Sequence, residues 1–275
     1  MQLGVVICGA GVHAAAGIGV LEELLSRGIE PCAVCGMQAG AWPAALYCAG
    51  LDAQGLQCAL DQAARMGRRL ADPAGFLRRP DPAARKGLFA GRRLEHLIRA
   101  QTGDRLLALC PRRGVFLCRA VRTGRRIAFS TQLYMQEEGV MLSMQAGVGF
   151  AARAAMALPP FLPAVSWMGS LLVPEEDTAY ACRPHLQLGA QRVLVVQPEP
   201  SLRHEPDLLE MCALHARYAC TSVLPEQAAL LSVTIPDRAG ALSRIRSAAA
   251  RRRGGLRRSG SWTGCSSRWA WRCAG

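Results

Sequence analysis

Lysine is almost missing from this chain: Lys86 is the only one, and every other basic residue is arginine. That bias reads as a mark of the coding DNA and has no bearing on mechanism. A long hydrophobic run is missing too. No stretch reaches the roughly 18 uninterrupted apolar residues that a membrane-spanning helix needs. The longest stretches are broken by Glu22, Glu23, Arg153, Pro159 and Pro160. The opening MQLGVVICGAG has no basic leader and no convincing cleavage site, so no signal peptide is expected. Acid is missing from the last stretch: between Ser243 and Gly275 there are nine arginines and no Asp or Glu. Of the net charge of +13, that leaves +4 for everything before it. The basic balance belongs to the tail, which weakens any argument for a nucleic-acid partner.

What is present fits a folded domain. The 275 residues suit one large α/β domain or two small ones, and 51% are hydrophobic, enough for a sizeable core. Twelve cysteines are many. A secreted disulfide scaffold would be short and loop-rich. Here Cys8, Cys32, Cys35, Cys110 and Cys118 fall in apolar runs that read as strands, which favours buried free thiols and a cytoplasmic setting. Cys32 and Cys35 form a CxxC, but no second pair follows at zinc-ribbon spacing, and His204 and His215 lack partner ligands. No metal or cofactor is expected.

Along the chain, residues 3–8 predict a strand and 18–26 a helix ended by Gly28. Residues 31–35 predict a second strand. Residues 36–40 predict a tight turn, and 41–49 a helix closed by Gly50. Pro43 fits that helix only in its first turn. Strand, glycine turn and helix, given twice, predict a parallel sheet with helices on its faces. Residues 61–82 read as a helix and then an exposed loop. Residues 91–102 read as an amphipathic helix with Leu94, Leu97 and Ile98 inward. Residues 115–121 and 126–130 read as a hairpin turning at 122–125. Further elements are expected at 146–158 (helix), 191–197 (strand) and 208–220 (helix).

The last residues differ in kind. The folded part is expected to cover 1–241, and 242–275 to be a basic Arg/Gly/Ser/Trp-rich tail. Three of the five tryptophans fall in it. It reads as a basic arm for nucleic acid or an acidic lipid surface, as disorder, or as sequence translated out of frame.

Two glycine turns carry the chemistry. Gly9-Ala10-Gly11-Val12-His13 opens a helix, where converging N–H groups can hold an anion. Gly36-Met37-Gln38-Ala39-Gly40 flanks a central residue with glycines at ±2, the pattern of a strand-to-helix elbow that pushes one side chain outward. In a hydrolase that side chain is Ser; here it is Gln38.

The stretch VICGAGVHAAAGIGVL (6–21) is similar to the glycine-rich opening of the patatin-like phospholipase family. GMQAGAWPAALYCAG (36–50) resembles the same family's serine elbow. KGLFAGRRLEHLI, RTGRRIAFS, FAARAAMALPPFLPAV and HLQLGAQRVLVV follow in the family's order, so the resemblance covers residues 3–198. It implies a three-layer α/β sandwich, with a mixed, mostly parallel sheet between helices. It also implies lipid acyl ester hydrolysis by a Ser–Asp dyad without metal, with the oxyanion held by backbone amides of Gly9, Ala10, Gly11, Val12 and His13. A lipid or acyl chain, and peripheral contact with a membrane, are the implied partners; nucleic acid is not. Carried across, the Ser position is Gln38 and the Asp position is Val173. Asp177, four residues on, is a substitute acid only if the loop shifts. A primary amide has no proton for a base to take and is a poor nucleophile. The expectation is therefore a catalytically impaired homologue. Two alternatives stay open: an active hydrolase with a rearranged site, and a basic-tail interaction protein.

Overall fold

The computed structural model describes residues 2–9, 11–72, 87–134, 139–200 and 224–235. Strand β1, Leu3–Ile7, leads through a 3-10 turn at Gly11–Ala14 into helix α1, Ala15–Ser26. Gly28, with φ of 72°, then reverses the chain. Strand β2, Ala33–Gly36, leads through the short turn Gln38–Gly40 into helix α2, Ala41–Cys48. Pro43 is its third residue, where a missing N–H costs no helical bond.

The next helix begins before the expected residue 61. Helix α3 is Ala53–Met66, because the Asp52 carboxylate accepts from the Gly55 N–H at 2.7 Å and caps it there. Its buried stripe of Leu56, Ala59 and Ala63 also starts early. Most of the loop expected after it lies outside the described residues. Helix α4, Arg92–Thr102, buries Leu97 and Ile98 as its spacing predicts. Strands β3, Gly114–Ala120, and β4, Arg126–Ser130, form the expected antiparallel hairpin. Strand β5, Val140–Ser143, pairs parallel with β4. Helix α5, Val148–Ala155, is shorter than the expected 146–158, since Gly147 is extended and caps it. Strands β6, Val165–Trp167, and β7, Ser170–Pro174, form a second hairpin. Helix α6, Thr178–Gln187, and strands β8, Arg192–Pro200, and β9, Ala228–Ile235, follow. The helix expected at 208–220 and the tail lie outside the described residues.

One sheet runs β5-β4-β3-β2-β1-β8-β9, with β7 on β3 and β6 on β7. Pairs β1–β2, β2–β3, β1–β8, β8–β9 and β4–β5 are parallel; β3–β4, β3–β7 and β6–β7 are antiparallel. One face packs Val5, Ile7, Val34, Phe116 and Phe129 against helices α1 to α5. The other packs Val6, Cys35, Leu117 and Val195 against Tyr180, Ala181 and Cys182 of α6. The adjacent pleat residues Val34 and Cys35 thus enter opposite cores. This is the mixed, mostly parallel three-layer α/β sandwich. Cys35, Cys48 and Cys118 are buried free thiols, and burial pushes their pKa values up. Cys8, Cys32 and Cys110 depart from expectation: all three are half-buried, Cys8 follows β1, Cys32 precedes β2, and Cys110 ends a 3-10 turn.

Candidate active site

The two glycine turns lie side by side. Ile7 pairs with Gly36, so β1 and β2 release their chains at the same end of the sheet. The Met37 N–H donates to the Ile7 carbonyl, and the Ala39 N–H to the Gly9 carbonyl, each at 2.9 Å. The Gly40 N–H closes the bend onto the Met37 carbonyl, also at 2.9 Å. Gln38, at the apex, has φ of 49°. That left-handed region disfavours any residue with a Cβ and marks strain held by the surroundings. The flanking glycines supply the room. A Cβ on Gly36 would lie 2.3 Å from Ala41 Cα, and one on Gly40 would lie 2.0 Å from the Ile7 carbonyl oxygen. Gln38 is half-buried there. Cys8 lies beside the bend, its thiol 3.9 Å from the Met37 sulfur. Gly11, at φ of 55°, and the backbone of Val12 and His13 form the turn that opens α1; Ala10 lies outside the described residues. Cys35 points into the core, as strand geometry predicts.

Strand β7 brings the second half. It pairs with β3 on the edge that β2 also uses, because β4 occupies the other edge. Gly36 lies opposite Phe116 and Pro174 opposite Cys118, so the ends of β2 and β7 meet along β3. Val173 is a half-buried strand residue opposite Arg119. The acids after it are buried or half-buried. Glu175 is only 1% exposed. Arg119 Nη2 donates to its two oxygens at 2.7 and 2.9 Å, and Arg126 Nε donates at 2.9 Å. The N–H groups of Glu176 and Asp177 add 3.0 and 3.2 Å bonds. Asp177 caps α6 by accepting from the Tyr180 N–H at 3.0 Å, and takes Arg126 Nη2 at 3.3 Å. The Arg126 guanidinium lies 3.9 Å over the Tyr180 ring.

Arg119 and Arg126 were not singled out from sequence. Their signal was the hairpin register, which sets them directly opposite each other. A further buried polar group is His185 on α6, whose ring packs under Gly4 of β1. Among the described residues neither ring nitrogen has a partner, and burial lowers its pKa to about 3. Among the described residues no group of three or more His, Cys, Asp or Glu is arranged to hold a metal ion.

A family model described as patatin-like phospholipase matches residues 5–178. Comparison with curated protein sequences gives no match. Among solved structures, VipD from Legionella pneumophila is similar with a TM-score of 0.47 and 12% identity, covering 89% of this chain and 64% of that one. The type III effector protein ExoU gives 0.38 and 16%, covering 92% and 51%. ExoU in complex with SpcU from Pseudomonas aeruginosa gives 0.38 and 14% with the same coverage. This chain therefore spans between half and two thirds of those chains. Matched over most of its described sheet, from β1 to the start of α6, the chain belongs to the patatin-like phospholipase family.

Proposed function

We propose that this protein is a catalytically impaired lipid acyl hydrolase homologue that keeps the family's lipid-facing site without its nucleophile. The observation that carries this reading is Gln38 at the apex of the elbow. An amide there has no hydroxyl to attack an ester. Three further observations support it. Val173, at the acid position, is a strand residue with no carboxylate. Glu175 and Asp177 are spent on arginines and backbone N–H groups, so neither is a free base. The Ala39 N–H, which follows the apex, is bonded to the Gly9 carbonyl and not left for an oxyanion. Among the described residues no helix is long and apolar enough to cross a membrane. The buried free thiols support a reducing, cytoplasmic setting. The folded unit is proposed to end near residue 241.

A fluorophosphonate serine-hydrolase probe tests the reading. The wild-type protein should stay unlabelled, while the Gln38→Ser, Val173→Asp double variant should gain labelling and weak esterase activity. Covalent labelling of the wild type, or fatty-acid release that an elbow variant abolishes, would mean an active enzyme with a rearranged site.

A further inference from the structure

Helix α6 packs over β1, β2 and β8, and beyond it the same sheet face carries exposed apolar residues. Pleat alternation places Arg119, Val121, Leu171 and Val173 on that face, since Arg119 lies opposite Val173. The Val121 N–H donates to the Leu171 carbonyl at 2.9 Å, so the two residues are neighbours. Val121 is 54% exposed and Leu171 46%. Beside them is the tip of the β6–β7 hairpin. Trp167 pairs with Ser170, leaving the two-residue turn Met168-Gly169 with φ of 46° and 76°. Such a turn favours Asn or Asp at its first position. Met168 stands there instead, 81% exposed. An apolar side chain is thus held in water, on a backbone that does not suit it.

Guanidinium groups border this trio. Arg122 and Arg125 are exposed in the β3–β4 turn directly after Val121, while Arg119 and Arg126 are engaged by Glu175 and Asp177. The patch lies past the carboxyl end of β3, roughly 15 Å along the strand from the level of Gly36. It therefore projects from the end of the sheet that carries the elbow.

We propose that Val121, Met168 and Leu171, bordered by Arg122 and Arg125, seat this protein on an anionic lipid surface. Met168 and its apolar neighbours enter the headgroup–acyl boundary, and the two arginines meet lipid phosphates and carboxylates. This deepens the lipid-facing reading above and rests on family membership, whatever the chemical state of the elbow. Labelling by the fluorophosphonate probe would overturn that reading and leave this surface standing.

Flotation of the full-length chain with phosphatidylcholine vesicles, and with mixed phosphatidylcholine–phosphatidylserine vesicles, tests it. The wild type should float with the mixed vesicles and much less with the neutral ones. The double change Arg122→Glu and Arg125→Glu should lower partitioning by at least about 25-fold, near five-fold for each arginine lost. Met168→Asn should also weaken binding several-fold, while raising the melting temperature because Asn suits the turn. That opposite movement separates a docking role from a structural one. Binding unchanged in both variants would place the contact on the arginine-rich tail and overturn the proposal. A wild type that fails to float would also overturn it, as would a dimer dissolved by Met168→Asn, which would make the occupant a second copy of the chain.

Discussion

The ends of β2 and β7 meet along β3, yet they are built on opposite principles. The β2 end is held by shape. Its glycines let Ala41 and the Ile7 carbonyl approach, and three backbone hydrogen bonds fix an apex at φ of 49°. The β7 end is held by charge, with one buried carboxylate receiving two guanidinium groups and two backbone N–H groups. The comparison teaches that a strained bend can be held through its backbone contacts. The three bonds that fix the bend at Gln38 are all backbone to backbone. At the β7 end the side chains themselves are the structure.

Steric and electrostatic perturbations should therefore separate the two ends. The largest effect is expected from Gly40→Ala, whose Cβ would meet the Ile7 carbonyl at 2.0 Å. Backbone on both sides cannot yield, so a loss on the order of 5 kcal/mol, or no folded protein, should appear in chemical denaturation. A stable Gly40→Ala protein would show that the close approach is not what shapes the elbow.

The next effect is pH-dependent. His185 of α6 titrates near 6.5 in the unfolded chain, and burial lowers it to about 3 in the fold. Below pH 6.5 the unfolded chain takes up a proton that the folded chain refuses. Stability should then fall from about pH 6.5 toward pH 3, by on the order of 4 kcal/mol from this group, and be fully present above pH 6.5. His185→Met should flatten that part of the stability–pH curve. An unchanged slope would show that the ring finds a proton acceptor.

Glu175→Gln comes third. It leaves Arg119 and Arg126 without their shared carboxylate, but both can reach water, so the cost should be about 2 kcal/mol. Arg126→Met should have a smaller effect, since Arg119 still pairs with Glu175. If Glu175→Gln were neutral, the charge-held description of the β7 end would fail. The smallest effect should be a gain. Gln38→Gly relieves the left-handed apex and should stabilise by about 1 kcal/mol in thermal unfolding. A loss instead would mean that the Gln38 amide makes a bond that supports the turn.

Much of the frame was legible because local physics dictates it. The runs at β1 and β2 are continuously apolar, as strands buried on both faces must be, and β8 carries an apolar stretch at Val193–Val196. Gly28 and Gly50 end their helices in left-handed geometry, where only a residue without a Cβ is comfortable. Strands β5, β6 and β7 were harder to read. They are short and half-exposed, so alternation has too few residues to show. Strand β9 stands apart near the end of the described residues. The start of α3 was missed because a single side chain, Asp52, sets it ahead of the visible polar stripe.

By itself the sequence determined the alternation of strands and glycine turns, the elbow and its Gln38, and the absence of a carboxylate at residue 173. These follow from residue type and spacing, which act over a few positions. Only the tertiary structure decided that Glu175 is buried between arginines 56 and 49 residues away. It also decided that His185 is sealed beneath Gly4, and that Val121 and Leu171 are exposed neighbours beside the hairpin tip that carries Met168. Those outcomes depend on which strand edges pair, and pairing brings together residues whose separation along the chain carries no local signal.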